Sequence, residues 1–180
     1  MAHHGITIRS ALAVALTLLA VVGVRAQVVE PVRVAGASMA PTLEQGDVVV
    51  VNKLDREPGR GDLVTFRSPL DGERMLKRVV GIGGDVVAIR DAILYVNDVE
   101  VQEPFVDHES IDALYYGPVT VTQRAVLVLG DFRADSTDSR TYGEVSLRDV
   151  TGTVVARLWP PATRPPSDAT EAQSALSVAR

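Results

Sequence analysis

Amines are scarce in this chain. Of its 18 lysines and arginines only Lys53 and Lys77 are lysines. A guanidinium keeps its proton at any physiological pH, so chemistry that needs a side-chain amine able to shed one falls to these two residues. Lys77 lies in Met75-Leu76-Lys77-Arg78-Val79-Val80, where strand alternation puts it on one face with Met75 and Val79, and puts Leu76, Arg78 and Val80 on the other. Apolar neighbours disfavour ammonium. Bringing a lysine from about 10.4 to about 7 to 8 corresponds to roughly 4 kcal/mol, which the fold must sustain. A lysine snorkelling from a half-exposed strand is the ordinary alternative. Lys53 is the poorer base candidate, ending a strand-like run beside Asn52 and Asp55.

A hydroxyl suited to such a base occurs in Gly36-Ala37-Ser38-Met39-Ala40-Pro41-Thr42-Leu43. Small neighbours allow a ligand backbone to approach Ser38 and leave its amide available to an oxyanion. Taken alone, Ser38 reads as a cap on the turn that starts near Pro41. Two loops complete the set. Gly81-Ile82-Gly83-Gly84-Asp85 predicts a turn or bulge that re-aims the preceding strand, and it has no phosphate-loop pattern. Gly130-Asp131-Phe132-Arg133-Ala134-Asp135-Ser136-Thr137-Asp138-Ser139-Arg140 crowds acids, serines and two arginines together. It reads as a hydrogen-bonded support for a buried polar site or as a solvated acidic turn; its acid spacing does not fit a calcium loop.

Composition narrows the chemistry. With no cysteine there is no disulfide, thiolate metal site or cysteine nucleophile, and a His-based triad rests on His108, because His3 and His4 stand at the N-terminus. The net charge of −5 gives no electrostatic footprint for nucleic acid. Hydrophobic residues at 46% and charged residues at 23% describe a chain that buries a core.

The elements that must position these groups are short and β-branched. Strands are predicted over 47–51, 63–66, 75–80, 86–90, 93–96, 99–101, 126–129 and 153–158, with tight turns at Asp91-Ala92 and Asn97-Asp98. The fold expected is mainly β, a coiled sheet or partly closed barrel. Residues 103–118 read as an excursion from the core.

Ahead of this domain, Ser10–Val24 is an uncharged run between Arg9 and Arg25. As a helix it reaches about 22 Å; extended back to Ile6, with Arg9 snorkelling, it reaches about 28 Å against a bilayer core of roughly 30 Å. It is read as one N-terminal transmembrane helix, with residues 1–26 as membrane anchor. A cleaved signal ending at Ala26 and a buried soluble helix are the alternatives. Residues 27–159 form the expected catalytic domain, and the Pro-rich residues 160–180 a disordered tail.

The segments SMAPTL at 38–43, GDVVVVNK at 46–53, KRVVGIGGDVV at 77–87 and GDFRADSTDSR at 130–140 occur in the order of the bacterial type I signal peptidase family, membrane-anchored serine proteases, which this chain resembles over most of residues 36–157. The resemblance implies a Ser-Lys dyad. Ser38 matches the nucleophile and Lys77 its general base; Ser136 matches the serine that hydrogen-bonds and orients the lysine. Asp138 and Arg140 match an ion pair that stiffens the site, Met39 follows the nucleophile as in the family, and Gly130 with Asp131 opens the supporting loop. Departures are Gly83 for a common proline, Phe132 for a usual asparagine and Ala134 for a common acid. Gly36 stands where some relatives carry a hydroxyl, so an oxyanion hole here relies on backbone N–H groups.

The resemblance implies removal of signal peptides from secreted preproteins after small residues, in an Ala-x-Ala pattern, at the outer face of a bacterial cytoplasmic membrane. The partners implied are preproteins and the lipid bilayer, without nucleic acid, metal or organic cofactor. The rival readings are a specialised conjugation-type peptidase of the same superfamily and a non-catalytic anchored β-domain that binds secretory chains.

Overall fold

The computed structural model describes residues 27–106 and 115–159, together with Val14. The expected anchor (apart from Val14), the tail over 160–180 and His108 lie outside the described residues.

The mainly β expectation holds. The strands are β1 (Val29–Arg33), β2 (Val48–Asn52), β3 (Leu63–Arg67), β4 (Arg74–Ile82), β5 (Val86–Arg90), β6 (Ile93–Val96), β7 (Val99–Glu100), β8 (Tyr116–Thr120), β9 (Ala125–Leu129), β10 (Val145–Ser146) and β11 (Val150–Trp159). They make a seven-stranded sheet ordered β1-β2-β11-β3-β4-β9-β10 and a four-stranded sheet ordered β7-β6-β5-β8. Neighbouring strands are antiparallel throughout.

β4 links the pieces. Its first half pairs with β3, from Arg67↔Arg74 to Leu63↔Arg78, and its second half pairs with β9, from Arg78↔Leu129 to Ile82↔Val126. Residues 74–77 therefore have β3 on one side and no strand on the other among the described residues. The turn at 83–85 then re-aims the chain into the smaller sheet, with Gly84 at φ +96° and Asp85 N–H donating to the Ile82 carbonyl at 2.9 Å.

Both predicted hairpin turns form. Asp91 and Ala92 (φ 49° and 66°) and Asn97 and Asp98 (φ 54° and 62°) occupy the left-handed region that two-residue loops between twisted strands require.

β9 is buried at every position, so its Ala125-Val126-Leu127-Val128-Leu129 run shows no polar face. Ala125, Leu127 and Leu129 pack with Val80, Val87, Ile89 and Leu94, whereas Val126 and Val128 pack with Val64, Phe66 and Val79. A third cluster joins Val34, Met39 and Leu43 to Val49 and Val51.

Two expectations over 103–118 need correction. Glu103 to Val106 is no excursion: Phe105 and Val106 are buried against Ala92, and Glu103 is buried as well. Tyr116–Thr120 is a strand although it contains Gly117 and Pro118. It lies at the edge of its sheet, where a residue lacking an N–H is tolerated. β1, with Pro31, occupies the corresponding edge of the larger sheet.

Candidate active site

Ser38 sits in a turn that its neighbours bolt to the core. Val34 N–H donates to the Asp47 carbonyl at 2.8 Å, and Gly46 N–H to the Val34 carbonyl at 2.9 Å. Met39 and Leu43, 1% and 4% exposed, then plunge into the cluster around Val49 and Val51. Burying two such side chains contributes about 1.5–3 kcal/mol each, which fixes the turn on the C-terminal side of the serine. The Ser38 side chain is left facing a groove of about 350 Å³ bounded by residues 32–36 on one wall and 73–77 on the other.

Lys77 comes to the same place from β4. Its residue is only 3% exposed, and Nζ donates to Ser38 Oγ at 2.5 Å. Burial pulls its pKa below the ordinary lysine value of 10.5; Asp138 and Asp131 act in the opposite direction without reversing the shift. Lys53 follows β2, and its backbone N–H is used by the Val28 carbonyl. It does not line the groove.

The 130–140 loop is a buried polar support, not a solvated turn. Asp138 caps the short helix α1 (Ser139–Tyr142) by accepting from Arg140 N–H at 3.1 Å. The same carboxylate accepts from Arg140 Nε and Nη2, each at 2.9 Å, and from Gly130 N–H at 3.0 Å. Although burial raises the Asp138 pKa, the Arg140 guanidinium and these N–H donors hold it below the usual carboxylate value. Asp131 accepts a two-pronged grip from Arg78, Nε to Oδ1 at 2.8 Å and Nη2 to Oδ2 at 2.6 Å. The side chains of that pair are 2% and 0% exposed.

Backbone contacts bring the loop onto the serine. Phe132 N–H donates to the Ser38 carbonyl at 3.1 Å. A Cβ on Gly130 would lie 2.6 Å from that carbonyl oxygen and 2.6 Å from Ser136 Cβ, so only glycine permits the approach. Ser136 differs from what the resemblance implies. Its Oγ is buried beside Gly130 without a hydrogen-bond partner, so the bond to Lys77 is not made.

The structure thus brings Ser38 and Lys77 together in the groove and sets the loop that carries Gly130, Asp131, Ser136, Asp138 and Arg140 against the Ser38 backbone, with Met39 as the core anchor. Two buried pairs on the 130–140 loop were not anticipated as such: Arg78 with Asp131, and Arg133 with Glu103. Alternation did signal that Arg78 and Lys77 face opposite ways. Nothing local signals Glu103, because its partner is 30 residues distant.

Comparison with known proteins identifies the family. The family model described as signal peptidase, peptidase S26, matches residues 7–159. A signal peptidase I of Bacillus caldolyticus is 37% identical over 142 residues, covering 71% of this chain and 78% of the relative. A probable signal peptidase I-2 of Synechocystis is 34% identical over 149 residues, covering 77% and 67%. The crystal structure of a signal peptidase I from Enterococcus faecalis superposes with a TM-score of 0.50 at 31% identity, covering 56% of this chain and 99% of that one. The class is therefore a serine endopeptidase on a scaffold of antiparallel sheets. Within it, the chain belongs to the signal peptidase family, peptidase S26.

Proposed function

We propose that this peptidase removes signal peptides from secreted preproteins after small residues, with Ser38 as nucleophile and Lys77 as general base. The observation that carries the reading is the 2.5 Å contact between Lys77 Nζ and Ser38 Oγ in a site that buries the amine. As an ammonium, Nζ donates to the hydroxyl. Once neutral, it accepts the proton from Ser38 as Oγ attacks the scissile carbonyl, and a lysine with a lowered pKa supplies that neutral form nearer to physiological pH. Collapse of the tetrahedral intermediate sends the proton from Nζ to the leaving amine and leaves an acyl-enzyme, which a Lys77-activated water hydrolyses. Ser38 N–H, which makes no hydrogen bond with a described residue, serves the oxyanion.

An extended substrate pairs with the unpartnered 74–77 segment of β4 and lays its small side chains in the groove. Asp138 and Arg140 stiffen the loop, and Asp131 fixes it to β4. Residues 1–26 act as a single-pass anchor that holds the 27–159 catalytic domain at the outer face of a bacterial cytoplasmic membrane. The apolar run that ends five residues before β1 supports that placement.

The test is cleavage of a secretory precursor by purified protein in detergent beside Ser38→Ala, with the cut located by mass spectrometry. One cut after a small residue, absent from the variant, is expected; parental cleavage by the variant rejects Ser38.

A further inference from the structure

Glu103 lies outside the groove, on the segment that leaves the smaller sheet, where Val101 N–H donates to the Leu94 carbonyl at 2.9 Å. It is 3% exposed, and its Oε1 accepts from Arg133 Nη2 at 2.5 Å. Arg133 in turn donates through Nε to the Gly130 carbonyl at 2.9 Å. Gly130 is the residue where an added Cβ would lie 2.6 Å from the Ser38 carbonyl oxygen, and the next amide but one, Phe132 N–H, bonds that same carbonyl. Two residues beyond Glu103, Phe105 lies under the Arg78 guanidinium at 4.2 Å, on the other flank of the loop where Arg78 holds Asp131. One short segment of the smaller sheet thus reaches both sides of the backbone that braces the serine.

We propose that Glu103 is a positioning residue for Ser38: through Arg133 it sets where the Gly130–Phe132 backbone meets the Ser38 carbonyl. The proposal rests on the reading of Ser38 as nucleophile. As a stabiliser the pair is poor. Both side chains are almost wholly buried, yet Glu103 Oε2 and Arg133 Nη1 have no hydrogen-bond partner among the described residues, and a half-satisfied buried pair is commonly no better for stability than apolar residues of the same volume. What apolar residues cannot replace is the Nε–H that Arg133 supplies to Gly130. Displacing a nucleophile by an ångström costs up to about a hundredfold in rate.

The decisive protein is the double variant Glu103→Leu/Arg133→Met, which removes both charges. Its melting temperature should stay within a few degrees of the parent, while kcat on a soluble peptide falls at least tenfold and KM stays within about twofold. Hydrogen exchange at the Phe132 amide should be faster. A folded double variant with parental kcat and parental Phe132 exchange overturns the proposal, as does a loss confined to KM. If the double variant does not fold, Glu103→Gln, which keeps the volume and one acceptor for Arg133, takes its place. About a threefold fall in kcat with faster Phe132 exchange is then expected, and no change in either overturns the proposal. Ser38→Ala runs alongside. If it retains turnover, the reading of Ser38 fails, and Phe132 exchange still decides whether Glu103 positions that carbonyl.

Discussion

Lys77 and Arg78 are neighbours on β4, both buried, and they meet opposite electrostatic fates. Arg78 turns one way onto Asp131, which answers its charge through two hydrogen bonds, with the Gly61 carbonyl accepting from Nη1 and Thr42 Oγ1 sharing Nη2 with the carboxylate. Lys77 turns the other way onto a neutral hydroxyl. A guanidinium cannot shed its proton and receives a carboxylate; an amine that can shed one is placed where burial encourages it to do so.

Lys77→Arg should therefore be inactive although it preserves charge. Loss of a general base costs about 10²–10⁴-fold, and a guanidinium restores none of it. Peptide turnover by a variant of native circular dichroism measures this. Substantial turnover moves the base elsewhere.

The lowered Lys77 pKa fixes the sign of two pH dependences. Peptide cleavage should rise with pH through the folded-state value. Between that value and 10.5 the unfolded chain binds a proton at Lys77 that the folded chain has released, so stability rises with pH across the same window. Urea midpoints from pH 6 to 10 should climb for the parent relative to Lys77→Met. Equal slopes for the two proteins would remove Lys77 from the account.

Asp138→Asn should act on both stability and the pH profile. It leaves Arg140 without its carboxylate, a loss of about 3 kcal/mol by analogy with other broken buried pairs. Asp138 is also the largest influence holding the Lys77 pKa up, so the acid limb of the rate profile should move to lower pH. Depressed carboxylates such as Asp138 contribute stability that is lost as pH falls through their folded pKa, and the variant should lose less there.

Gly130→Ala introduces a methyl 2.6 Å from the Ser38 carbonyl oxygen, a backbone atom that cannot swing away. A loss of about 1–3 kcal/mol from overpacking is expected, together with a larger fall in kcat than in peptide affinity. Denaturant unfolding and steady-state kinetics separate the two. A variant of parental kcat would show that the brace on Ser38 is dispensable.

Deleting residues 1–26 should leave cleavage of a short soluble peptide intact, since Ser38, Lys77 and the 130–140 loop all follow β1. Processing of precursors held in liposomes should fall more steeply, because a shared bilayer raises effective concentration. Equal processing of both substrates would detach the segment from substrate encounter.

The hairpins and the faces of β4 were legible because their signals are local: a two-residue polar turn, or an alternation of period two. β1 and β8 escaped for an equally local reason. Pro31 and Pro118 argue against a strand unless its position at a sheet edge is known, and that position depends on distant pairing. β11 shows the same limit, since it inserts between β2 and β3, roughly a hundred residues earlier in the chain. The Ser38–Lys77 encounter was implied by the resemblance, and the Glu103–Arg133 pair by nothing in either segment. Buried charge partners are chosen by the fold, so a lone Glu before a proline carries no trace of its arginine.

The flank of β4 at 74–77, open among the described residues, has a cost in a crowded cell. A strand that welcomes one extended chain will welcome any other, including the same strand of a second molecule, and so invites self-association. Here the edge is guarded by charge. Arg74 begins it, held across to β1 by Glu30 at 2.6 Å, and the buried amine of Lys77 ends it. Another copy would have to bring its own Arg74 guanidinium to this edge and desolvate it beside the buried Lys77 amine, whereas a short neutral segment carries no charge to desolvate. The arginine that opens the substrate edge in this sense also makes a second copy of the strand a poor occupant of it.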